Sequence, residues 1–189
     1  AQRRLFYTTQ AGGALSLLDW DSTSKPTNQQ MGLDEDDMTA RAAVLQRLKT
    51  MWGDPLHSVP VVVSYSDEDP YANVAFISTN GGMLHAIDTK TGAEKFAFMP
   101  AEFLSQAERY TTDRPALGAG NKRLAYGLDG SWVAWKRSAE NGNKVYLYGG
   151  MRRGGQHYYA LDVTNPNSPQ MLWQISPETS GFSRLGQTW

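Results

Sequence analysis

The chain has 189 residues, no cysteine, and 18 basic against 19 acidic side chains, which gives a net charge of -1. Its length suits one domain with a sizeable core, and its charge balance provides no bulk attraction to nucleic acid or to an anionic membrane. The lack of cysteine excludes disulfides, cysteine-ligated zinc, iron–sulfur clusters and a thiol nucleophile in this chain. No apolar stretch approaches the roughly 20 residues of a membrane helix, so we expect no membrane-spanning segment.

Two short strands are predicted at the N-terminus, over residues 1–9 and 14–20, with Gly12-Gly13 turning the chain between them. Residues 21–30 are polar and contain Pro26, which indicates a loop.

One helix is predicted, over residues 34–52, as an insertion in an otherwise β-rich chain. Acidic side chains crowd its start at 34–37, and Arg47 and Lys49 lie near its end, which suits the helix dipole. Gly53 is placed to end it. Steps of three and four residues predict one apolar face made of Met38, Ala42, Leu45, Leu48 and Trp52.

The remainder of the chain reads as two successive groups of four strands separated by turn residues. The first group is predicted at 59–65, 72–78, 83–88 and 94–99, and the second at 130–135, 144–149, 157–163 and 170–175. The long connection at 100–121 carries a short predicted helix near 101–110.

Three stretches repeat one pattern: a glycine pair, an apolar run and a closing aspartate, at 12–19, 81–88 and 154–162. The closing residues Asp19, Asp88 and Asp162 are spaced by roughly 70 positions, and a long fixed period of four-strand units is typical of a β-propeller. The glycines would permit a tight hairpin and each aspartate would accept N–H groups of the next turn. Phe96 and Trp173 would pack between neighbouring sheets. An unrelated β-sandwich is the alternative.

Several motifs carry a resemblance to known proteins. Residues 86–96, AIDTKTGAEKF, resemble the blade repeat of quinoprotein-like propellers, with Phe96 where tryptophan is usual. A longer ordered series resembles the C-terminal propeller of the type IV pilus tip-associated adhesins, the PilY/PilC family, over about 48–189. It comprises GDPLHSVPVVV (53–63), FISTNGGMLHAID (76–88), FMPA (98–101), YGLDGS (126–131) and GG leading to YALDVTNP (154–166).

The resemblance implies an all-β fold, a quinoprotein-like β-propeller with four-stranded antiparallel blades. Residues 1–189 would form part of a single propeller domain, with the helical insertion at about 34–52. We expect two full blades and part of another, and therefore a piece of a longer protein.

The resemblance also implies a function. The protein would be a non-enzymatic, exported pilus biogenesis factor and adhesin, located at the pilus tip or the outer-membrane surface. It would support pilus assembly against retraction, twitching motility and attachment to surfaces or host cells. Its partners would be minor pilins, a surface or host receptor and the rest of the same polypeptide, and no nucleic acid. No cofactor is expected in this chain, but the family pattern allows a calcium site in a part of the propeller outside it.

No residue is predicted to be catalytic, cofactor-binding or metal-ligating. His57, His85 and His157 lack metal-ligand spacing; His57 is expected to hydrogen-bond in a turn and His85 to be packed within a strand. The serine of Asp129-Gly130-Ser131 lacks a nucleophile elbow. The acidic runs 34–37 and 67–69 lack the pattern of a calcium loop. The basic, glycine-rich stretch 149–155 reads as a hairpin tip, with Arg152 and Arg153 available to contact a partner.

Two other function classes stay open at this point. A quinone-dependent dehydrogenase shares the repeat, but those enzymes place paired cysteines over the cofactor and this chain has none. A periplasmic propeller scaffold for outer-membrane protein assembly also shares the repeat, but it should lack the Gly-Asp-Pro-Leu-His-Ser-Val-Pro segment at 53–60.

Overall fold

The computed structural model describes residues 2–9, 14–111, 126–137 and 142–189. Its helices are α1 (Met38–Thr50), α2 (Ala101–Leu104) and α3 (Ala107–Thr111), with a 3-10 turn at Gln29–Met31. Its strands are β1 (Leu5–Tyr7), β2 (Ser16–Leu17), β3 (Val61–Ser64), β4 (Asn73–Ser78), β5 (Leu84–Asp88), β6 (Glu94–Met99), β7 (Trp132–Arg137), β8 (Lys144–Gly150), β9 (Tyr158–Asp162) and β10 (Gln170–Ile175). Within these ranges, no helix has the length and apolar character needed to cross a membrane.

The described strands form two sheets. The first has the order β2-β1-β6-β5-β4-β3 and the second the order β10-β9-β8-β7. Strands β3 to β6 and β7 to β10 are each a meander of four antiparallel strands in chain order, as the sequence predicts. Strand β1 is the exception, because it adds to β6 in parallel and carries β2 with it.

Two of the three sequence repeats occupy equivalent places. Asp88 ends the third strand of the first meander and Asp162 ends the third strand of the second. Asp19 instead follows β2, in a two-stranded hairpin at the outer edge of the first sheet, so its copy of the repeat is not a third equivalent unit. Part of that copy, at residues 12–13, lies outside the described residues.

All three aspartates serve the turn that follows them, as predicted. The Oδ1 atom of Asp19 accepts the N–H of Asp21 at 3.1 Å, and the Oδ1 atom of Asp88 accepts that of Lys90, also at 3.1 Å. The Oδ1 atom of Asp162 accepts the N–H of the residue two positions on at 2.9 Å. Hydrogen bonds from Lys95 and from the Thr91 backbone and side chain hold the pKa of Asp88 at about 2, so this carboxylate stays ionised as an acceptor.

The two sheets pack face to face around a shared aromatic core. Phe98 on β6 meets Trp132 and Tyr159 of the second sheet edge-on, with ring centroids 6.4 and 5.7 Å apart. Phe96 is fully buried beside Phe6 and Phe76 of its own sheet, and it lies on the same face of β6 as Phe98, which fits its predicted place between sheets. Burial of such rings is the main source of stability for sheets that cannot bury both faces alone.

Trp173, the residue predicted to play the same part in the second sheet, is 40% exposed. It lies on the face that points away from the first sheet, next to Tyr148 at a centroid distance of 5.9 Å. The prediction that it packs between sheets is therefore not met by the described residues.

Helix α1 is shorter than predicted, and its buried face overlaps the predicted one only at Leu45 and Leu48. It begins after Asp37, whose carboxylate accepts the N–H of Ala40 at 2.8 Å, and ends at Thr50, because Met51 is extended. Met38 is 49% exposed and Ala42 is also exposed. The buried positions are Arg41, Val44, Leu45 and Leu48.

Arg41 explains the change of face. Its guanidinium is buried and donates to the carbonyl oxygens of Ser22 and Pro26 and to Oδ1 of Asn28, at 2.7–2.9 Å. An apolar-spacing argument counts arginine as solvent-facing and misses it, because here the side chain serves the carbonyl groups of a loop.

Candidate functional site

Glycine-rich turns and connections of both sheets meet at one end of the molecule. We call this the glycine-rich junction and define it by His57, Asn80, Gly127, Asp129 and Gly154. Its segments lead into β3 and β7, or join β4 to β5 and β8 to β9. It is therefore the place where one four-stranded unit is fixed to the next.

A buried carboxylate bridges the sheets at this junction. Asp129, just before β7, has no exposed side-chain surface, and its Oδ1 lies 2.8 Å from Nδ1 of His57, which precedes β3. Its Oδ2 accepts from Nη1 of Arg152 at 3.2 Å. A buried carboxylate needs such partners, because an isolated charge in the core is very costly.

His57 thus does more than the turn hydrogen bond that the sequence predicts. It joins residues 72 positions apart in the sequence. No local signal marks Asp129 as the partner, because an Asp-Gly pair before a strand reads equally well as a solvent-exposed turn.

Glycines at the junction allow backbone-to-backbone contact between the sheets. A Cβ atom on Gly154 would fall on the carbonyl oxygen of Gly127, and one on Gly127 would fall on the backbone nitrogen of Gly82. The Gly127 N–H donates to Oδ1 of Asn80 at 3.3 Å. Gly82 has the positive φ of 82° that a tight hairpin needs, as predicted, whereas Gly154 serves only close approach.

Ser131, considered above as a nucleophile, has a structural role. Its Oγ accepts the N–H of Val59 at 2.8 Å, and its contact with His57 is to the backbone oxygen rather than to the imidazole. Ser58 and Ser78 lie beside it, and their hydroxyls hydrogen-bond to one another at 3.0 Å, while Ser78 also donates to the carbonyl of Gly130. No general base faces any of these hydroxyls among the contacts of the described residues.

A second polar bridge links α2 to the second sheet. The carboxylate of Glu102 accepts from the Tyr159 hydroxyl at 2.8 Å and from Gln174 at 3.3 Å, and it lies 3.1 Å from Nε2 of His157. Burial, followed by the nearby Glu102 charge, raises the pKa of Tyr159, which keeps the phenol protonated as a donor.

A third polar cluster fixes the N-terminal strand and the end of α1 to the first sheet. Glu94 on β6 accepts from Nε of Arg3 at 2.8 Å and pairs with Nδ1 of His85 at 2.7 Å. Trp52 stacks on His85 with centroids 4.2 Å apart, and Nη1 of Arg3 donates to the carbonyl of Leu48 at 2.8 Å. The expectation that His85 is a packed strand residue is confirmed, since it is fully buried.

Burial shapes the ionisation of this third cluster. It lowers the pKa of His85, against the opposing effect of Glu94, so the imidazole is held neutral. Burial alone would raise the pKa of Glu94, but hydrogen bonds from His85 and Arg3 lower it overall, so the carboxylate stays ionised. Each histidine of the chain therefore has a carboxylate partner in a structural contact.

The hairpin tip with the two arginines borders a shallow pocket of about 590 Å³. Arg153 lies over the Tyr126 ring at 5.3 Å, and Arg152 lies over Trp189 at 4.7 Å. Arg109, Tyr110, Gly154 and two glutamines also line it, and the described part of this lining has guanidinium, phenol and amide groups but no carboxylate. Such a lining is suited to binding a ligand.

The acidic runs hold no metal-like arrangement in the described ranges, where no group of three His, Asp or Glu side chains could surround an ion. Asp37 caps α1, Asp69 accepts the N–H of Tyr71 at 2.9 Å, and the side chain of Asp67 is 89% exposed. A calcium site elsewhere in a longer protein stays a prediction.

Comparisons with known proteins agree with the resemblance. A family model described as the PilY1 beta-propeller domain matches residues 43–183. The chain is 36% identical over 116 residues to a type IV pilus biogenesis factor PilY1 homolog of Xylella fastidiosa strain Temecula1, covering 61% of this chain and 9% of that protein. It is 30% identical over 123 residues to the type IV pilus biogenesis factor PilY1 of Pseudomonas aeruginosa strain UCBPP-PA14, covering 65% of this chain and 10% of that protein.

Among solved structures, the crystal structure of the Pseudomonas aeruginosa PilY1 C-terminal domain matches with a TM-score of 0.43 and 28% identity, over 63% of this chain and 21% of that one. The chain spans about a tenth of the length of the two full-length relatives. The family match, together with the four-stranded antiparallel meanders, confirms the predicted propeller fold class, with sheets that do not close into a ring in the described residues.

Proposed function

Because this chain belongs to the PilY1 β-propeller family, we propose that it is a non-enzymatic part of a type IV pilus biogenesis factor. In this role it promotes pilus assembly against retraction, and through the pilus it supports twitching motility and attachment to surfaces or host cells. The observation that carries the proposal is the family match over residues 43–183.

The geometry supports a binding and assembly role. The buried carboxylate of Asp129 and the partly buried carboxylates of Glu94 and Glu102 are engaged in contacts that fix one structural unit to another. Rigid sheets that present loops at their ends are suited to binding, since loops carry recognition while the scaffold positions them. We propose minor pilins and a surface or host receptor as partners, and the pilus tip or the outer-membrane surface as the location.

Genetics gives a direct test of the biogenesis role. The codons for residues 43–183 are deleted in frame, and surface pili and twitching are measured in the mutant strain. We expect both to be lost, and pili to return when the retraction motor is also removed, because the factor acts against retraction. Normal pili and twitching in the single deletion would refute the role.

A biochemical test separates this role from the dehydrogenase alternative. The purified protein is incubated with pyrroloquinoline quinone and calcium, and dye-linked alcohol oxidation is measured. We expect none, because the chain lacks the paired cysteines of those enzymes.

A second measurement addresses the scaffold alternative. A tagged protein should co-purify with pilins, and recovery of outer-membrane assembly proteins in their place would favour the scaffold.

A further inference from the structure

The pocket at the hairpin tip carries positive charge that the described residues do not neutralise. We call it the arginine pocket and define it by Arg109 on α3 and Arg153 at the tip, which both line it. Arg109 donates to the side-chain oxygen of Gln106 at 3.3 Å, and Arg153 donates to the hydroxyl of Tyr126 at 3.1 Å. These acceptors are an amide and a phenol, and no carboxylate in the described part of the chain pairs with either guanidinium.

The neighbouring Arg152 fixes the hairpin tip. Its guanidinium donates to the buried Asp129 at 3.2 Å, and its backbone N–H donates to the carbonyl of Thr188 at 2.9 Å. Its φ is 50°, in the left-handed region. A non-glycine residue keeps that conformation only where the surrounding contacts hold it, because the conformation costs free energy. The contacts of Arg152 therefore hold the tip in place, and Arg153 extends from a fixed turn.

The other side chains of the arginine pocket suit a ligand with hydroxyl groups. Gln106 and Gln187 supply amides, Tyr110 and Tyr126 supply phenols, and Trp189 supplies an indole. Amides can donate to and accept from hydroxyls, and tyrosine and tryptophan combine an apolar ring with a polar tip. A pyranose sugar has the complementary surface, since hydroxyls surround its C–H faces. The volume of about 590 Å³ lies within the usual range of small-ligand sites.

We propose that the arginine pocket binds a sugar that carries a carboxylate. The carboxylate accepts from the guanidinium groups of Arg109 and Arg153, and the sugar ring lies against the aromatic side chains. A guanidinium presents paired N–H donors that match the two oxygens of a carboxylate, and such charge-assisted hydrogen bonds are stronger than neutral ones. Because both arginines are exposed, salt should weaken the contact.

This ligand class would serve the attachment that is proposed above, but it does not depend on the role in pilus assembly. Failure of sugar binding would leave the biogenesis role standing. Normal pili in the deletion strain would leave sugar binding standing.

Isothermal titration calorimetry on the full-length product of the gene tests the proposal. Digalacturonate is the acidic probe, and the neutral digalactoside of the same linkage lacks its carboxylates. Glutarate has two carboxylates and no sugar ring. We expect digalacturonate to bind about tenfold or more tightly than either control at low salt, because each control lacks one of the two recognised features. Its affinity should fall about threefold or more between roughly 50 and 300 mM salt.

Variants locate the binding. Arg153→Gln and Arg109→Gln each remove one exposed guanidinium, and we expect each to weaken digalacturonate binding by about tenfold. Arg137→Gln is the matched control, because Arg137 is also exposed but lies at the end of β7 that is distant from the tip. It should leave the affinity unchanged. The urea midpoints of all three variants should equal that of the parent, since exposed substitutions change stability little.

Three results would overturn the proposal. The first is that the parent protein does not bind digalacturonate. The second is that the digalactoside or glutarate binds as tightly as digalacturonate, because recognition would then not require a sugar with a carboxylate. The third is that Arg137→Gln weakens binding as much as Arg153→Gln and Arg109→Gln, because attraction would then come from the overall charge and not from the arginine pocket.

Discussion

At the scale of single residues, the glycine-rich junction depends on glycines, because two backbone segments meet there with no room for a side chain. Gly154→Ala would drive a Cβ atom into the backbone carbonyl of Gly127, which cannot move aside as a flexible side chain could. We expect a loss of about 1–3 kcal/mol in the free energy of unfolding, the usual cost of overpacking. Urea denaturation measures it. Gly186→Ala, where a Cβ meets nothing within 4 Å, is the matched control and should change stability little.

The carboxylate of Asp129 stabilises the same junction through polar contacts. Asp129→Ala leaves His57 and Arg152 without their common partner and opens a gap at the junction. Breaking a buried pair on one side costs about 3–5 kcal/mol, and because both partners are partly exposed we expect the lower end of that range. Asp67→Ala removes a carboxylate that is 89% exposed and 3.9 Å from Lys136, so it should cost well under about 1 kcal/mol. Equal losses in the two variants, measured by urea denaturation, would contradict the structural role of Asp129.

The His85–Glu94 pair makes stability depend on pH. Because burial lowers the pKa of His85, the unfolded chain takes up a proton near its ordinary pKa of about 6.5 while the folded chain does not. The contribution of His85 is therefore fully present above about pH 6.5 and is lost as the pH falls below it. Glu94, whose pKa is also lowered, adds a further loss below about pH 4.3.

Unfolding free energies measured by urea between about pH 8 and pH 5 test this dependence. The parent chain should lose stability on acidification, and His85→Gln should lose less over the same interval, because its side chain does not titrate. An unchanged slope in the variant would show that another group is responsible.

At the scale of elements, the strands were the more predictable part. The bounds of β6 and β10 agree with the sequence to the residue, because turn residues flank each of them and their apolar content is high. The Asp-centred turns followed from the same local chemistry. Local signals of this kind act over a few residues and are visible in one sequence.

Features that depend on distant partners could not be predicted in the same way. Asp129 and His57 meet across 72 positions, and nothing in either local sequence marks the pair. The parallel addition of β1 to β6 likewise depends on Arg3 finding Glu94 and the end of α1. The sequence repeat suggested that Asp19 closes an equivalent unit, but strand pairing placed it in an edge hairpin.

Helix α1 shows how one buried cation organises a loop. Arg41→Met keeps the helix propensity and much of the length of the side chain but removes the donors that serve Ser22, Pro26 and Asn28. We expect a loss of about 2–3 kcal/mol in unfolding free energy, since buried acceptors are left unsatisfied. Faster amide hydrogen exchange over residues 22–33 should accompany it.

Gln46→Ala, an exposed change on the same helix, is the control for this prediction. It should leave exchange in that loop unchanged. If Arg41→Met also leaves it unchanged, the loop is ordered by other contacts.

At the scale of the whole molecule, the two sheets should unfold as one unit. They share buried rings and are joined by the glycine-rich junction, so opening one sheet exposes the inner face of the other. Labelling with 5-fluorotryptophan gives reporters for both parts, since Trp20 and Trp52 lie in the first half of the chain and Trp132 lies in the second sheet. We expect their ¹⁹F signals to disappear with the same midpoint in urea.

Phe98→Ala tests the origin of this coupling. Phe98 is fully buried, and its ring contacts both Trp132 and Tyr159 of the second sheet. We expect its loss to lower the free energy of unfolding by about 3–5 kcal/mol. The urea midpoints of both sheets should fall together. Leu172→Ala, on β10 and with a side chain that is 41% exposed, should shift them far less. If the signal of Trp132 were lost at lower urea than those of Trp20 and Trp52 in the parent chain, each sheet would be stable by itself and the shared core would be secondary.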